Sequence, residues 1–311
     1  MLLAWYYIFL HHLLFNNNIN NHLCYALSTT TTSSTTTTNN NKTYNYFAYG
    51  SNMASSTMMN LRNIEPLASS AAVLPGHVLR FNIPGLPGIE PSSASVEPVA
   101  KKSGSILTND DDDDDDDAML LLDAIENEEH VVHGVLYKLS EDDFATICRT
   151  EGVPFAYSLH RCSVIPYVND DGTSGSAGRD AMQRAADALG SIAKEEEEED
   201  NGAYNRQQLK PSRKEQMTMT TATTTTNNKK TRWGVQTFTL RAARKEWRQN
   251  QKDIPPSQSY INVLLRGAKE FVLDDTYIRK LENDIPVGKT WFGKGFAENL
   301  LRIAEQRRQI R

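Results

Sequence analysis

Apolar and aromatic residues come in short bursts along this chain, and each burst has a period. Tyr44, Tyr46, Phe47 and Tyr49 suit a pleated surface and predict a strand over 44–49, which stops abruptly in Gly50-Ser51-Asn52. "MASSTMMNLRNI" follows with helical character. A second strand is expected over 71–83, bent at Pro75-Gly76, and "PGLPGIEP" reads as turn. "HVVHGVLYKL" (130–139) predicts the next strand. Ser140 then suits an N-cap and Asp143 the capping-box position, while Glu141, Asp142 and Asp143 favour the positive end of a helix. Phe144, Ile147 and Cys148 share one face of that helix, and Gly152 ends it. Strands are expected again over 158–168, by alternation, and over 232–240. "SYINVLLRGAKEF" and "LDDTYIRKLENDI" predict two helices, the second starting near Asp274 or Asp275 and closed by Pro286. A last helix is expected over 291–311, with Phe296, Leu300 and Ile303 on one stripe.

Between the bursts the chain is biased. Residues 1–28 carry an apolar run, "MLLAWYYIFLHHLLF", of signal-peptide length and short for a membrane span. No Lys or Arg precedes Lys42, so the basic flank of a signal peptide is missing. The reading is a targeting segment for secretion or an organelle, with membrane contact only if it is retained, and the cytoplasm otherwise. Residues 29–43 are an Asn/Thr-rich linker. Insertions without regular structure are expected at about 92–129 and 169–230, around the acidic runs Asp110–Asp117 and Glu195–Asp200. One domain, 44–290, remains. Strands first and helices late make it α+β. The net charge of −6 over 311 residues comes mostly from the acidic runs, and it argues against a nucleic-acid partner. The C-terminal Arg302, Arg307, Arg308 and Arg311 read as a solvated helix face. Cys24, Cys148 and Cys162 lack metal spacing and are too few for a disulfide framework. Cys148 and Cys162 read as buried thiols.

Candidate chemistry lies at two places. A strand ending in Gly50-Ser51-Asn52 before a helix presents backbone N–H groups, with Gly50 allowing close approach and Ser51 and Asn52 adding side-chain donors or caps. That is either a capped turn or a cradle for a carboxylate or phosphate. Glu151 sits at a helix C-terminus beside Val153, Pro154, Phe155, Ala156 and Tyr157. It is either an exposed helix-end carboxylate or one whose pKa apolar neighbours raise for proton transfer. His77, His130, His133 and His160 read as core or edge residues. No metal site is expected, and the poly-Asp run lacks the Gly and Glu of a calcium loop.

"YFAYGSNM", "HGVLYKLSEDDFATICRTEG", "EGVPFAY" and "PPSQSYINVLLRGAKEFVLDDTYIRKL" occur in that order. With these blocks the chain resembles the γ-glutamylcyclotransferase family over about 44–285. The resemblance implies a small mixed β-barrel with flanking helices around one pocket. It implies that Tyr49, Gly50, Ser51 and Asn52 bind the α-carboxylate and amine end of a γ-glutamyl group. Glu151 would be the acid/base, with Tyr157 and Tyr260 near the pocket. The implied reaction turns a γ-glutamyl-amino acid into 5-oxoproline and a free amino acid, without a cofactor. Alternatives are a glutathione-specific or γ-glutamylamine enzyme, or a non-catalytic small-molecule-binding module of the same fold. The insertions and the apolar N-terminus depart from the usual pattern and put substrate choice and compartment in doubt.

Overall fold

A computed structural model describes residues 42–86, 88–99, 121, 123–167, 176–188, 234–249 and 252–290, together with Gln306. In chain order the elements are β1 (Thr43–Ala48), β2 (Ala68–Pro75), β3 (His77–Leu86), β4 (Glu90–Pro98), β5 (Val131–Ser140), α1 (Glu141–Thr150), β6 (Tyr157–Pro166), α2 (177–188), β7 (Val235–Ala242), α3 (Lys245–Gln249), α4 (Gln258–Glu270) and α5 (Asp275–Asn283). Short turns at Ser51–Met53 and Thr57–Leu61 follow β1. The expected segments 1–28 and 291–311 lie outside the described residues, Gln306 apart, as do both acidic runs.

Five strands close a barrel in the order β1-β5-β2-β6-β7. Four seams are antiparallel, and β7 meets β1 in parallel at Tyr46 and Phe238, so the barrel is mixed. Thr239 Oγ1 donates to the Phe47 carbonyl at 2.9 Å and helps close that seam. β2 lies between β5 and β6, so Ala71, Ala72, Val73 and Leu74 are all buried. β1 likewise buries Tyr46, Phe47 and Ala48 in succession. Outside the barrel, α1 packs Phe144 against Tyr44, with stacked rings 4.6 Å apart. The fold is α+β, as the order of elements predicts, and it is the small mixed barrel with flanking helices that the resemblance implies.

The expected strand 71–83 is two strands. Gly76 takes φ 68° between them, and the chain leaves the barrel for a separate β3–β4 hairpin. Residues 92–98 of the expected first insertion are therefore β4. The strand reads as polar because Ser95 and Glu97 are buried among partners that are distant in sequence. The Glu97 carboxylate accepts from Ser95 Oγ at 2.9 Å, from Asn82 Nδ2 at 3.2 Å and from Arg241 Nε at 2.6 Å. This saturated ion pair fastens β4 to β7. The second insertion also contributes to the fold. α2 buries Ala177, Ala181 and Met182, and its first turn is held by the Asp274 carboxylate, which accepts from the Gly178 and Arg179 amides at 3.0 and 3.3 Å. Asp274 stands at the N-cap position of α5 but makes no cap bond there.

His77, His130, His133 and His160 sit in or beside strands, and no group of three or more metal-ligating side chains forms among the described residues. His77 Nδ1 lies 2.8 Å from the Pro75 carbonyl, which makes Nδ1 the donor and Nε2 an acceptor. His160 Nε2, at 3.2 Å, must then carry the proton that bridges the two rings. A further proton has no acceptor between them. Burial lowers the pKa of His77, and takes His160 down to about 4 and His133 down to about 3. These rings are neutral when folded and bind protons near pH 6.5 when unfolded. Stability is therefore fully present above about pH 6.5 and falls as the pH drops through the window toward 4 and 3. Between pH 6.5 and 5, His133 and His160 each cost about 2 kcal/mol. Urea melts at these pH values should show that loss, with a shallower slope in His160→Gln. A flat profile would mean that the rings are not buried as neutral pairs.

Candidate active site

α1 places its carboxylate through its two ends. Ser140 Oγ accepts the Asp143 amide at 3.2 Å and donates to Asp143 Oδ2 at 2.7 Å, so the cap forms as expected. At the other end, the Gly152 amide reaches the Arg149 carbonyl at 3.2 Å and the Val153 amide reaches Cys148 at 2.9 Å. Gly152 takes φ 70°. This is the paired-bond helix stop that needs a glycine after the cap residue. The cap residue is Glu151.

The surroundings of Glu151 are neither open solvent nor only the apolar run beside it in sequence. Phe155 is 61% exposed and turns away. The carboxylate instead accepts from Asn52 Nδ2 at 2.9 Å and is ion-paired with Arg62 Nη2. Asn52 is 4% exposed and caps nothing; Nδ2 also donates to the Tyr46 hydroxyl at 3.0 Å, and Oδ1 accepts from Arg62 Nε at 2.7 Å. Its side chain is an internal strut. Ser51 makes no side-chain cap bond either. Cys148 and Cys162 are buried and outside any disulfide.

The loop carrying Gly50, Ser51 and Asn52 is held from three sides. Tyr137 of β5 donates to the Met53 carbonyl at 2.9 Å. Tyr260 of α4 accepts the Ser51 and Ala94 amides, the latter at 3.3 Å. Gly267, about two α-helical turns further on, lets α4 lie directly on the loop: a Cβ there would sit 2.6 Å from the Ala54 nitrogen and 2.6 Å from Met53 Cβ. That close approach gives the Gly-Ala-Lys block its glycine.

Tyr49, Gly50, Ser51, Asn52, Glu151, Tyr157 and Tyr260 line one pocket, with Tyr46, Ala94 and Leu240. All seven sequence candidates thus come together from β1, its loop, α1, β6 and α4. Ala94 of β4 was not anticipated, and neither was Arg62. Tyr157 donates to the Ala94 carbonyl at 2.9 Å, and Tyr49 donates to the Leu240 carbonyl at 2.6 Å. Tyr260, having accepted two amides, keeps its own proton without a protein acceptor among the described residues. Burial, with the Glu151 carboxylate adding to it, pushes the hydroxyls of Tyr46, Tyr49, Tyr157 and Tyr260 well above the ordinary phenol range. They are donors at neutral pH. The pocket has a volume of about 20 Å³, room for about one water, so a larger occupant needs its mouth to open. A cavity of about 330 Å³ lies elsewhere, between β3 and α5, and contains none of the candidate residues.

No family model matches the chain. Among curated proteins, it is 36% identical over 113 residues to gamma-glutamyl cyclotransferase gliK of Aspergillus fumigatus, covering 36% of this chain and 37% of that protein. It is 33% identical over 115 residues to gamma-glutamyl cyclotransferase verK of Clonostachys rogersoniana, covering 37% and 57%. Over roughly a third of its length the chain is thus similar to proteins named gamma-glutamyl cyclotransferase. It spans between about a third and just over half of the length of these curated relatives. A solved structure of a gamma-glutamyl cyclotransferase is similar over 85% of this chain and 99% of its own, at 15% identity and a TM-score of 0.44. No described helix is long and apolar enough to cross a membrane.

Gly267→Ala should push α4 off the loop. We expect a loss of roughly 1–3 kcal/mol in stability, read by denaturant melts. A wild-type midpoint would show that the close approach does not hold the loop.

Proposed function

We propose that the chain is a γ-glutamylcyclotransferase that converts a γ-glutamyl-amino acid into 5-oxoproline and a free amino acid. The observation that carries this is the meeting of Glu151 and the Tyr49–Asn52 loop in one pocket, with Asn52 Nδ2 at 2.9 Å from the carboxylate. Backbone of the loop and the hydroxyl of Tyr260 would hold the charged α-carbon end of the substrate. Asn52 would act through Glu151, because its side-chain groups are already engaged.

The reaction needs no water and no second substrate. The α-amine nitrogen bonds to the γ-carbonyl carbon and the amide bond to the leaving nitrogen breaks, so a five-membered lactam closes. Ring closure already carries a large proximity advantage, and the protein's part is to hold the attacking geometry. The amine arrives as ammonium. Glu151 takes this proton and passes it to the leaving nitrogen; the second proton, which the attacking nitrogen sheds on becoming the lactam N–H, follows the same route, so the amine leaves as ammonium. The carbonyl oxygen gains negative charge as the bond forms. Donors of the Gly50–Asn52 loop would steady it.

Glu151→Gln keeps the hydrogen-bonding shape while removing the base. We expect the variant to fold and its release of 5-oxoproline from γ-glutamyl-alanine to fall at least about a hundredfold. Near-normal turnover would overturn the role of Glu151. The same assay with glutathione and γ-glutamyl-ε-lysine separates the substrate classes.

A further inference from the structure

Arg62 is an unusual neighbour for a proton-transfer carboxylate, and nothing in the motif blocks points to it. It follows the Thr57–Leu61 turn, where its amide closes on the Thr57 carbonyl. Its side chain is 8% exposed and that of Glu151 11%. The guanidinium spends its donors on three different groups: Nε on Asn52 Oδ1 at 2.7 Å, Nη1 on Thr150 Oγ1, and Nη2 on Glu151 Oε1. Asn52 Nδ2 also binds Oε1, at 2.9 Å. Oε2 has no hydrogen-bond partner among the described residues. Glu151 lines the pocket and Arg62 does not. One oxygen of the carboxylate is therefore gripped from behind, and the other is left for a ligand.

We propose that Arg62 is a positioning residue for Glu151, anchoring Oε1 so that Oε2 meets the substrate's amine. The proposal rests on the cyclotransferase reading given above. The planar fork explains why an arginine stands here. It orients the Asn52 amide and the Glu151 carboxylate at once, which a lysine's point charge cannot do. The other ionisable groups that face Glu151 are Tyr46 and Tyr49 of the β1 segment, Tyr157 of β6 and Tyr260 of α4, with Cys148 of α1 beside Tyr46. The tyrosines stay protonated, so Arg62 supplies the positive charge against the carboxylate.

The test uses the full chain with Arg62→Met and Arg62→Lys. Two readouts are taken: kcat and KM for γ-glutamyl-alanine, and the carboxylate stretching bands of Glu151 by infrared difference spectroscopy against Glu151→Gln. In Arg62→Met, kcat should fall about tenfold to a hundredfold with KM within about twofold. The separation of the two carboxylate bands, which reports hydrogen bonding to one oxygen, should change. Arg62→Lys keeps the charge without the fork. It should recover only part of kcat, and it serves as the measured variant if Arg62→Met does not fold. Unmoved carboxylate bands in Arg62→Met, full kcat in Arg62→Lys, or a loss confined to KM would overturn the proposal. If the wild-type chain releases no 5-oxoproline, the cyclotransferase reading fails, and the carboxylate bands still decide whether Arg62 holds Glu151.

Discussion

A carboxylate set among tyrosine rings at the C-terminal end of a helix is in the wrong place electrostatically. The helix end carries partial negative charge, and the rings exclude water. Glu151 is there nonetheless, because two polar side chains converge on one of its oxygens. Asn52 comes from the loop after β1 and Arg62 from the turn that follows. The pocket depends on this meeting. It ties the loop to α1 across 99 residues and turns a destabilising charge into a fixed point. A buried pair of this kind is poor evidence for stability, since apolar substitutes often pack as well. It is better understood as a device for holding one carboxylate oxygen still.

The barrel supplies the walls. Three of the four pocket tyrosines bond backbone of other elements through their hydroxyls: Tyr49 reaches β7, Tyr157 reaches β4, and Tyr260 joins the Ser51 loop to β4. β4 can serve as that anchor because the Glu97–Arg241 pair fastens the hairpin to β7. Rings held this way cannot swing toward water. A reaction whose nucleophile and electrophile lie in one substrate gains from such a site. Its chief competitor is water, and the main task is to fix a conformation.

Local signals were legible in the sequence, and distant partners were not. Ser140 and Gly152 announced both ends of α1 because caps act within a few residues. The aromatic run of β1 and the apolar face of α4 were equally plain. β4 was hidden because its buried positions include Ser95 and Glu97, whose partners Asn82 and Arg241 lie far along the chain. α2 was hidden inside a biased stretch, and the carboxylate that caps it comes from Asp274, about 95 residues on. The seven candidate pocket residues were found from the order of the motif blocks. The setting of Glu151 was not legible for one reason. Its sequence neighbours offered only open solvent or an apolar run as its surroundings, while Phe155 points outward and Arg62, an unremarkable residue in "NLRNI", points in.

The central claim is that this pocket closes a ring without water. Incubating the chain with a γ-glutamyl-amino acid in H₂¹⁸O and weighing the products tests it most directly. Intramolecular attack predicts 5-oxoproline with no heavy oxygen, formed in step with the free amino acid. Glutamate carrying one ¹⁸O would show hydrolysis and would contradict the account.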